Sequence, residues 1–555
     1  MNKFLFLLLG FFYTFLHSQN YSGGSGTVND PYLISNLTDL RYLSEHNSDW
    51  SKSFLQTANI DATVSSTWNG NKGFFTIGSP SASFYGTYDG GGYKIIGMYI
   101  NRSSNMYAGM FGTVYTSATI KNINLVGGYF SGDMYTGSIA GEVLGTITNC
   151  TSSATVNGGK YAGGLVCLIK NGITNSSATG NVTSGSGYSG GGLAAGATGT
   201  VSNCFATGIV KGSTGIGGLL GSSGGEVINC YATGKVTKLP FGGSTTSGGL
   251  IGSAAKLVSN SYATGNVDGD IAGGLLGETT SNVTKSYATG NVDATGASQN
   301  IAGGLIGMIR HATAASYFSS VSLSFSTGTV IGGSITGGLV GFGKNLQKIN
   351  ITNCYSRSKV NNGTGALFGY FQEDGAFITT SYATGQQGGT NPGGLLSYGL
   401  NVTLTRAFWD RDTTGALVAD ASGWNQTDGG RTTAQMKAQG TFINWDFATV
   451  WAIDPAVNDG YPYLKENSGY LATGESSKKD HSIKIYPTVV TDRVYISSDV
   501  NIIKYSIFDM QGRLIRQNAA NSREFDINLN DLQQGAYLLN MMHQNGFESK
   551  KIIKK

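Results

Sequence analysis

One recurring phrase limits what this chain can fold into. GGLVC at 163–167, GGLLG at 217–221, GGLIG at 248–252, GGLLG at 273–277, GGLIG at 303–307 and GGLVG at 337–341 are copies of it. AGMFG at 108–112, GSIAG at 137–141, GALFG at 365–369 and GGLLS at 393–397 are looser ones. The central apolar residue falls at Met110, Ile139, Leu165, Leu193, Leu219, Leu250, Leu275, Leu305, Leu339, Leu367 and Leu395, in steps of 25 to 34 residues. A second phrase alternates with the first: NCFATGIV at 203–210, NCYATGKV at 229–236, NSYATGNV at 260–267 and KSYATGNV at 285–292. Such a period decides architecture before local propensity does.

Each repeat holds two short β-prone runs separated by glycine and small polar residues, and neither run shows a helical period. A leucine-rich repeat needs an LxxLxL phrase, which is absent. The expected fold is therefore all-β: a parallel β-solenoid of coils of about 28 residues, equivalent strands stacking at ~4.8 Å, so that eleven coils make a rod of roughly 50 Å. Glycine, 85 of 555 residues, is expected to supply positive φ at the turns and to let backbones approach closely. Only 7 prolines and no strict Gly-X-Y period exclude collagen, and 40% apolar residues exclude wholesale disorder.

The repeats resemble the GLUG-motif family, and the resemblance covers roughly residues 24–465. TVNDPYLISNLTDLRYLS at 27–44 looks like the opening segment of such proteins, and FYGTYDGGGYKIIGMYI at 84–100 like their first coil. The stretches around TTAQMK and FINWDFATVWAID look like their closing segment. The resemblance speaks for the fold; it implies no catalytic site, since the family includes adhesin-like surface proteins and regions attached to proteases. The flanks also read as caps over open strand edges. Asn36 is placed to N-cap a helix carrying Leu37, Leu40 and Leu43, and TTAQMK offers a Thr-capped helix. Trp445, Trp451, Tyr461 and Tyr463 supply bulk to cover the last coil.

Cys150, Cys204, Cys230 and Cys354 occupy a slot that is serine at 176, 261, 286 and 381. That interchange indicates a small inward-facing site. Cys204 and Cys230 should stack in adjacent coils, where bridging geometry is rare. With Cys167 the count is five and no CxxC occurs, so no zinc is expected at the cysteines. The next position carries an aromatic in seven consecutive coils: Phe205, Tyr231, Tyr262, Tyr287, Phe325, Tyr355 and Tyr382. Two readings stand here. The row faces outward as a stripe of ring faces suited to sugars or protein contact, or it packs inward or under loops.

Chemistry is sparse. Asp268 and Asp293 share one slot, with Asp270 nearby, and form the best candidate for a carboxylate pair or a calcium site; the alternative is solvated turn acids. The five histidines are scattered, with no HExxH, nucleophile elbow or phosphate loop. No enzyme activity and no cofactor are expected.

Lys3 followed by the apolar run 4–16 reads as a signal peptide, with Ser18–Gln19 a plausible cleavage point. No later segment is apolar enough to span a bilayer. At the other end, 483–555 reads as a small β-sandwich of alternating strands. It resembles the C-terminal sorting domain of the type IX secretion system of Bacteroidetes. The matching residues are Tyr486-Pro487, Asp509, Gly512 and Arg513 in a DxxGR turn, Gly535-Ala536-Tyr537, and the terminal KKIIKK. Thr488 and Val490 depart from that pattern. The resemblance implies passage through the secretion machinery, then release or surface attachment. Net charge is +4, and residues 481–555 carry 10 basic and 7 acidic side chains, +3 of it. The remainder is nearly neutral, which argues against nucleic-acid binding.

The organisation expected is a signal peptide (1–18), an N-terminal cap with first coils (19–107), repeats (108–400), a C-terminal cap (401–465), a linker (466–482) and the sorting domain (483–555). The function expected is binding or adhesion at the cell surface or outside the cell, with a glycan or matrix protein as partner. A polysaccharide-active enzyme and a structural spacer are the alternatives.

Overall fold

The structure, a computed structural model, describes residues 21–466 and 483–555 apart from 241–242, 296–298, 311–318, 334, 346–348, 364, 374, 488, 510–513 and 544–545. The signal segment with Ser18 and Gln19, nearly all of the linker, and Thr488, Gly512 and Arg513 lie outside the described residues. The chain falls into two compact units that meet in sequence at Gly430–Arg431.

The first unit is a parallel β-solenoid of about 11 turns. One coil shows the plan. Val258–Ser259 and Tyr262–Ala263 flank a turn; Val267–Asp268, Ile271–Gly273 and Leu276–Thr279 complete the circuit. Each piece pairs in register with the next coil: Val258 with Val283, Tyr262 with Tyr287, Val267 with Val292, Ile271 with Ile301, Leu276 with Ile306. The repeat leucines form one vertical file. The Ile139 N–H donates to the Leu165 carbonyl at 2.8 Å, and the series runs unbroken through Leu193, Leu219, Leu250, Leu275, Leu305, Leu339 and Leu367 to Leu395 at 2.8 to 3.0 Å. Each of these leucines is fully buried, a gain of roughly 1.5–3 kcal/mol apiece.

The glycines of the phrase do only one of the two things expected of them. None of them has positive φ. Their role is close approach: a Cβ on Gly218 would lie 2.1 Å from the Gly249 carbonyl oxygen and 2.8 Å from the Ala232 Cβ. The left-handed turn belongs instead to the residue before the cysteine/serine slot. Asn122, Asn149, Asn175, Asn203, Asn229, Asn260 and Asn353 hold φ of 48° to 57° there. Asparagine tolerates this region, and its amide adds a ladder. Asn149 Nδ2 donates to Asn122 Oδ1 at 2.6 Å, and Asn260 Nδ2 to Asn229 Oδ1 at 2.5 Å.

Stacking begins earlier than 84–100. Tyr32–Ile34 already pairs in parallel with Ser53–Gln56, and that strand with Thr87–Asp89. The helix Leu37–Glu45 is N-capped by Asn36, whose side chain accepts from the Thr38 and Asp39 N–H groups, and buries Leu40 and Leu43. At the other end, the strands 403–405, 408–410 and 418–420 continue the solenoid. Trp409 fills the core there, its indole N–H donating to the Ala416 carbonyl at 2.9 Å.

In the second unit, Thr432 caps the short helix Thr433–Met436 through a reciprocal box with Gln435. Trp445, Trp451 and Tyr461 are buried, the two indoles 4.5 Å apart, while Tyr463 is half-buried. Residues 483–555 form an antiparallel sheet with its own core, built on the long strands Arg493–Asp509, Leu514–Asn528, Gly535–His543 and Gly546–Lys554. A parallel pairing joins Val489–Val490 to the last strand.

Candidate functional site

The aromatic row is a true ladder. Consecutive rings from Phe205 to Tyr382 lie 4.7 to 5.0 Å apart with interplanar angles of 1° to 6°. The flanking small residues, such as Cys204 and Ala206 or Cys230 and Ala232, lie in the core, while the rings lie on the other side of the strand. The ring faces lie against one another along the axis, so a stripe of open faces does not exist. Phe205, Tyr231 and Tyr262 are half-buried, whereas Tyr287 is 3% exposed and Phe325, Tyr355 and Tyr382 are fully buried. Burial first, then the neighbouring Tyr382, raises the Tyr355 phenol well above its ordinary value. The row is a structural spine.

The cysteine/serine slot has a polar logic that sequence alone did not reveal. The serine hydroxyl accepts the backbone N–H of the preceding coil's slot residue, as Ser176 does from Cys150 at 3.1 Å and Ser261 from Cys230 at 3.0 Å. It then donates to the carbonyl two residues back, as a cysteine thiol also does: Ser261 to Ser259 at 2.8 Å, Cys230 to Ile228 at 3.2 Å. All five cysteines are buried free thiols, and burial pushes those of Cys150 and Cys354 up to about 12.

The acid trio separates into different tasks. Asp268 and Asp293 do stack in register. Asp270, however, is buried and held by the Lys238 ammonium at 2.6 Å and the Thr245 N–H at 2.6 Å. Asp293 closes its own turn, accepting from the Thr295 N–H and hydroxyl at 2.9 and 2.7 Å. Burial raises the Asp268 carboxyl, Lys238 opposes this, and Asp293 adds to it. Several other solenoid acids pair with a base one coil away: Asp89 with Lys121, Glu142 with Lys170, Glu278 with Arg310. Among the described residues, no group of three or more His, Cys, Asp or Glu could hold a metal ion.

A cleft that the sequence reading missed lies on the outward side of the GGLxG strands, near the solenoid's C-terminal end. It has a volume of about 690 Å³ and is lined by Ile335, Phe342, Tyr370, Tyr398 and the polar side chains of Gln372, Thr390, Asn391, Ser397 and Ser422, with Ala421. That size suits a small-molecule site, ~300–1,000 Å³. Phe342, Tyr370 and Tyr398 occupy one outward slot of successive coils. Tyr370 and Tyr398 stack at 4.7 Å and 13°, and Phe342 tilts against Tyr370 at 5.8 Å. The wall beyond Tyr398 is a built turn. Buried Asp420 accepts from the Ser422 N–H and hydroxyl at 2.9 and 2.6 Å and from the Asn425 side chain at 2.6 Å, and Asn425 also donates to the Gly399 carbonyl. The signal in the sequence was an aromatic immediately after the phrase in three late copies, a spacing too short to separate from core.

In the second unit, Tyr486 is exposed, and Tyr537 is buried with its hydroxyl donating to the Gln533 carbonyl at 2.9 Å. Gly535 opens the penultimate strand, and Asp509 ends the strand before the DxxGR turn. Residues 484–555 match the secretion system C-terminal sorting domain, and residues 212–237 match the GLUG motif. The chain carries a type IX sorting domain behind a GLUG-type solenoid. It is therefore exported to the cell surface or the extracellular space, and its sorting domain implies engagement with the secretion machinery. Among the described residues no helix is long and apolar enough to cross a membrane.

Two named proteins share a segment with it. Halomucin of Haloquadratum walsbyi is 35% identical over 146 residues, 26% of this chain and 2% of that protein. A protein of Evansella cellulosilytica, provisionally named a Gly-rich membrane protein, is 31% identical over 139 residues, 24% of this chain and 15% of that one. The chain thus spans only a small part of either relative. A candidate immunoglobulin A1 protease from Bacteroides ovatus aligns over 80% of this chain and 95% of its own, at 17% identity and a TM-score of 0.32.

Proposed function

We propose that this exported solenoid is a non-enzymatic binding protein of the adhesin kind, displayed on or released from the cell. The observation that carries the reading is the division of labour among its side chains. Asp89, Glu142, Asp270, Glu278 and Asp293 are engaged in coil-to-coil pairs and turn closures, while the outward GGLxG face presents an aromatic-lined cleft with uncharged polar groups. Aromatic surface with a few convergent polar groups is the composition of a recognition site. An enzyme acting on polysaccharide would need a proton donor and a nucleophile or base facing the scissile bond. Asp268 and Asp293 come nearest to that requirement.

The test presents the purified full chain to immobilised glycans and matrix proteins while reducing ends are assayed in solution. Binding without chain cleavage is expected. Because the ladder is structural, Tyr231→Ala and Tyr262→Ala are expected to bind as the parent does. Release of reducing ends that Asp268→Asn abolishes would establish the enzymatic reading in its place.

A further inference from the structure

The rings on the outward GGLxG slot stop abruptly. Phe342, Tyr370 and Tyr398 succeed one another, and the next coil offers no ring. Leu396 pairs with Asp420, where the strand 418–420 ends, and the chain then turns at Ala421 and Ser422, leaving no strand residue opposite Tyr398. Tyr370 covers one face of Tyr398. The other side borders the cleft, whose lining there is Ala421 and Ser422. The vacant rung is next to an aromatic face, and hydroxyl and amide groups surround it. Gln372, Thr390 and Asn391 are exposed, and Tyr398, Ser397 and Ser422 are half-buried. Among the described residues, no lysine, arginine, aspartate or glutamate lines the cleft. Two residues beyond Ser422, Trp424 stands 69% exposed.

We infer that this cleft binds a short run of a neutral polysaccharide, one pyranose ring stacking on the open face of Tyr398 in place of the missing aromatic rung. The inference rests on the binding reading above and names its site and ligand class. A sugar ring has an apolar C–H face and an equatorial rim of hydroxyls. The first matches the tyrosine, and the second matches side chains that both donate and accept. An anionic polymer would need cationic partners, and the described lining residues include none; Lys344, the register partner of Gln372, is the lysine beside them. A peptide ligand of the strand-adding kind would need an open sheet edge, whereas the three strands that carry the rings are each paired on both sides, 393–399 for example between 368–373 and 418–420.

The full chain is titrated by calorimetry with neutral soluble polysaccharides (a β-glucan, a mannan, a xylan) and with polygalacturonate and heparin as anionic arms. At least one neutral polymer is expected to bind, with affinity little changed between 50 and 500 mM salt. Tyr398→Ala should weaken it at least tenfold and Tyr398→Phe less than threefold. Should Tyr398→Ala unfold, Gln372→Ala and Asn391→Ala, both exposed, must each weaken binding severalfold. Neutral-polymer binding unchanged in all these variants overturns the inference, as does binding confined to the anionic arms and lost in salt. Capture of a matrix protein by parent and Tyr398→Ala alike, without glycan binding, overturns the cleft assignment but leaves the general binding reading standing. Absence of any ligand in both experiments removes both.

Discussion

The residue that most shapes each coil is the asparagine ahead of the cysteine/serine slot. It takes a left-handed backbone that costs other L-residues ~1–2 kcal/mol. The same slot holds Lys285, Leu323, Thr380 and Arg406 at φ of 45° to 51° in the later coils. These coils accept strain that the earlier ones avoid. Leu323→Asn is accordingly expected to raise stability by about 1 kcal/mol. Asn229→Ala should cost about 1–2 kcal/mol, since it loses both the backbone tolerance and a rung of the amide ladder. Urea unfolding midpoints of the two variants check both signs; a stabilising Asn229→Ala would refute this account of the turn. The slot was visible in the sequence as the N of NCYATG, but its φ was not. Glycine is the stronger prior for such a turn, and with 85 glycines nearby the asparagine was easily read as ordinary turn polarity.

Among the elements, the strand files were legible and the environments of their outer faces were not. A phrase repeated every 25 to 34 residues can satisfy its backbone only by stacking, so the leucine file followed from spacing alone. Whether Tyr287 or Tyr382 meets solvent depends on what neighbouring coils place beside them, and a single strand's alternation does not carry that. The same limit hid the cleft, which is made by a strand and a turn 24 residues further on. The Asp268–Asp293 stack is a further case, where register was readable and ionisation was not. The folded-state value of Asp268 is raised, so its contribution to stability is fully present below the unfolded value of about 3.8 and is lost as pH rises through the folded value. At neutral pH ionised Asp268 is therefore a local cost. Asp268→Asn should melt higher than the parent at pH 7, with the difference shrinking as the pH approaches 4. A variant that melts lower at pH 7 would show that the pull of Lys238 outweighs burial and Asp293 together.

At the scale of the whole molecule, a sorting domain for export is joined in sequence to a repeat that grows by one coil at a time. Each coil touches mainly its neighbours, so stability is close to a sum of coil and interface terms. That modularity is the central claim, and deleting one whole coil tests it most directly. Removing residues 258–282 joins Leu257 to Val283, and because Val258 and Val283 are register partners every file stays continuous. Removing only 258–270 breaks all the files. Circular dichroism and thermal unfolding of the two deletions should show a folded, cooperatively melting chain within several degrees of the parent for the first, and loss of the cooperative transition for the second. A 25-residue deletion that unfolds as completely as the shorter one would contradict the coil-by-coil architecture on which the functional reading stands.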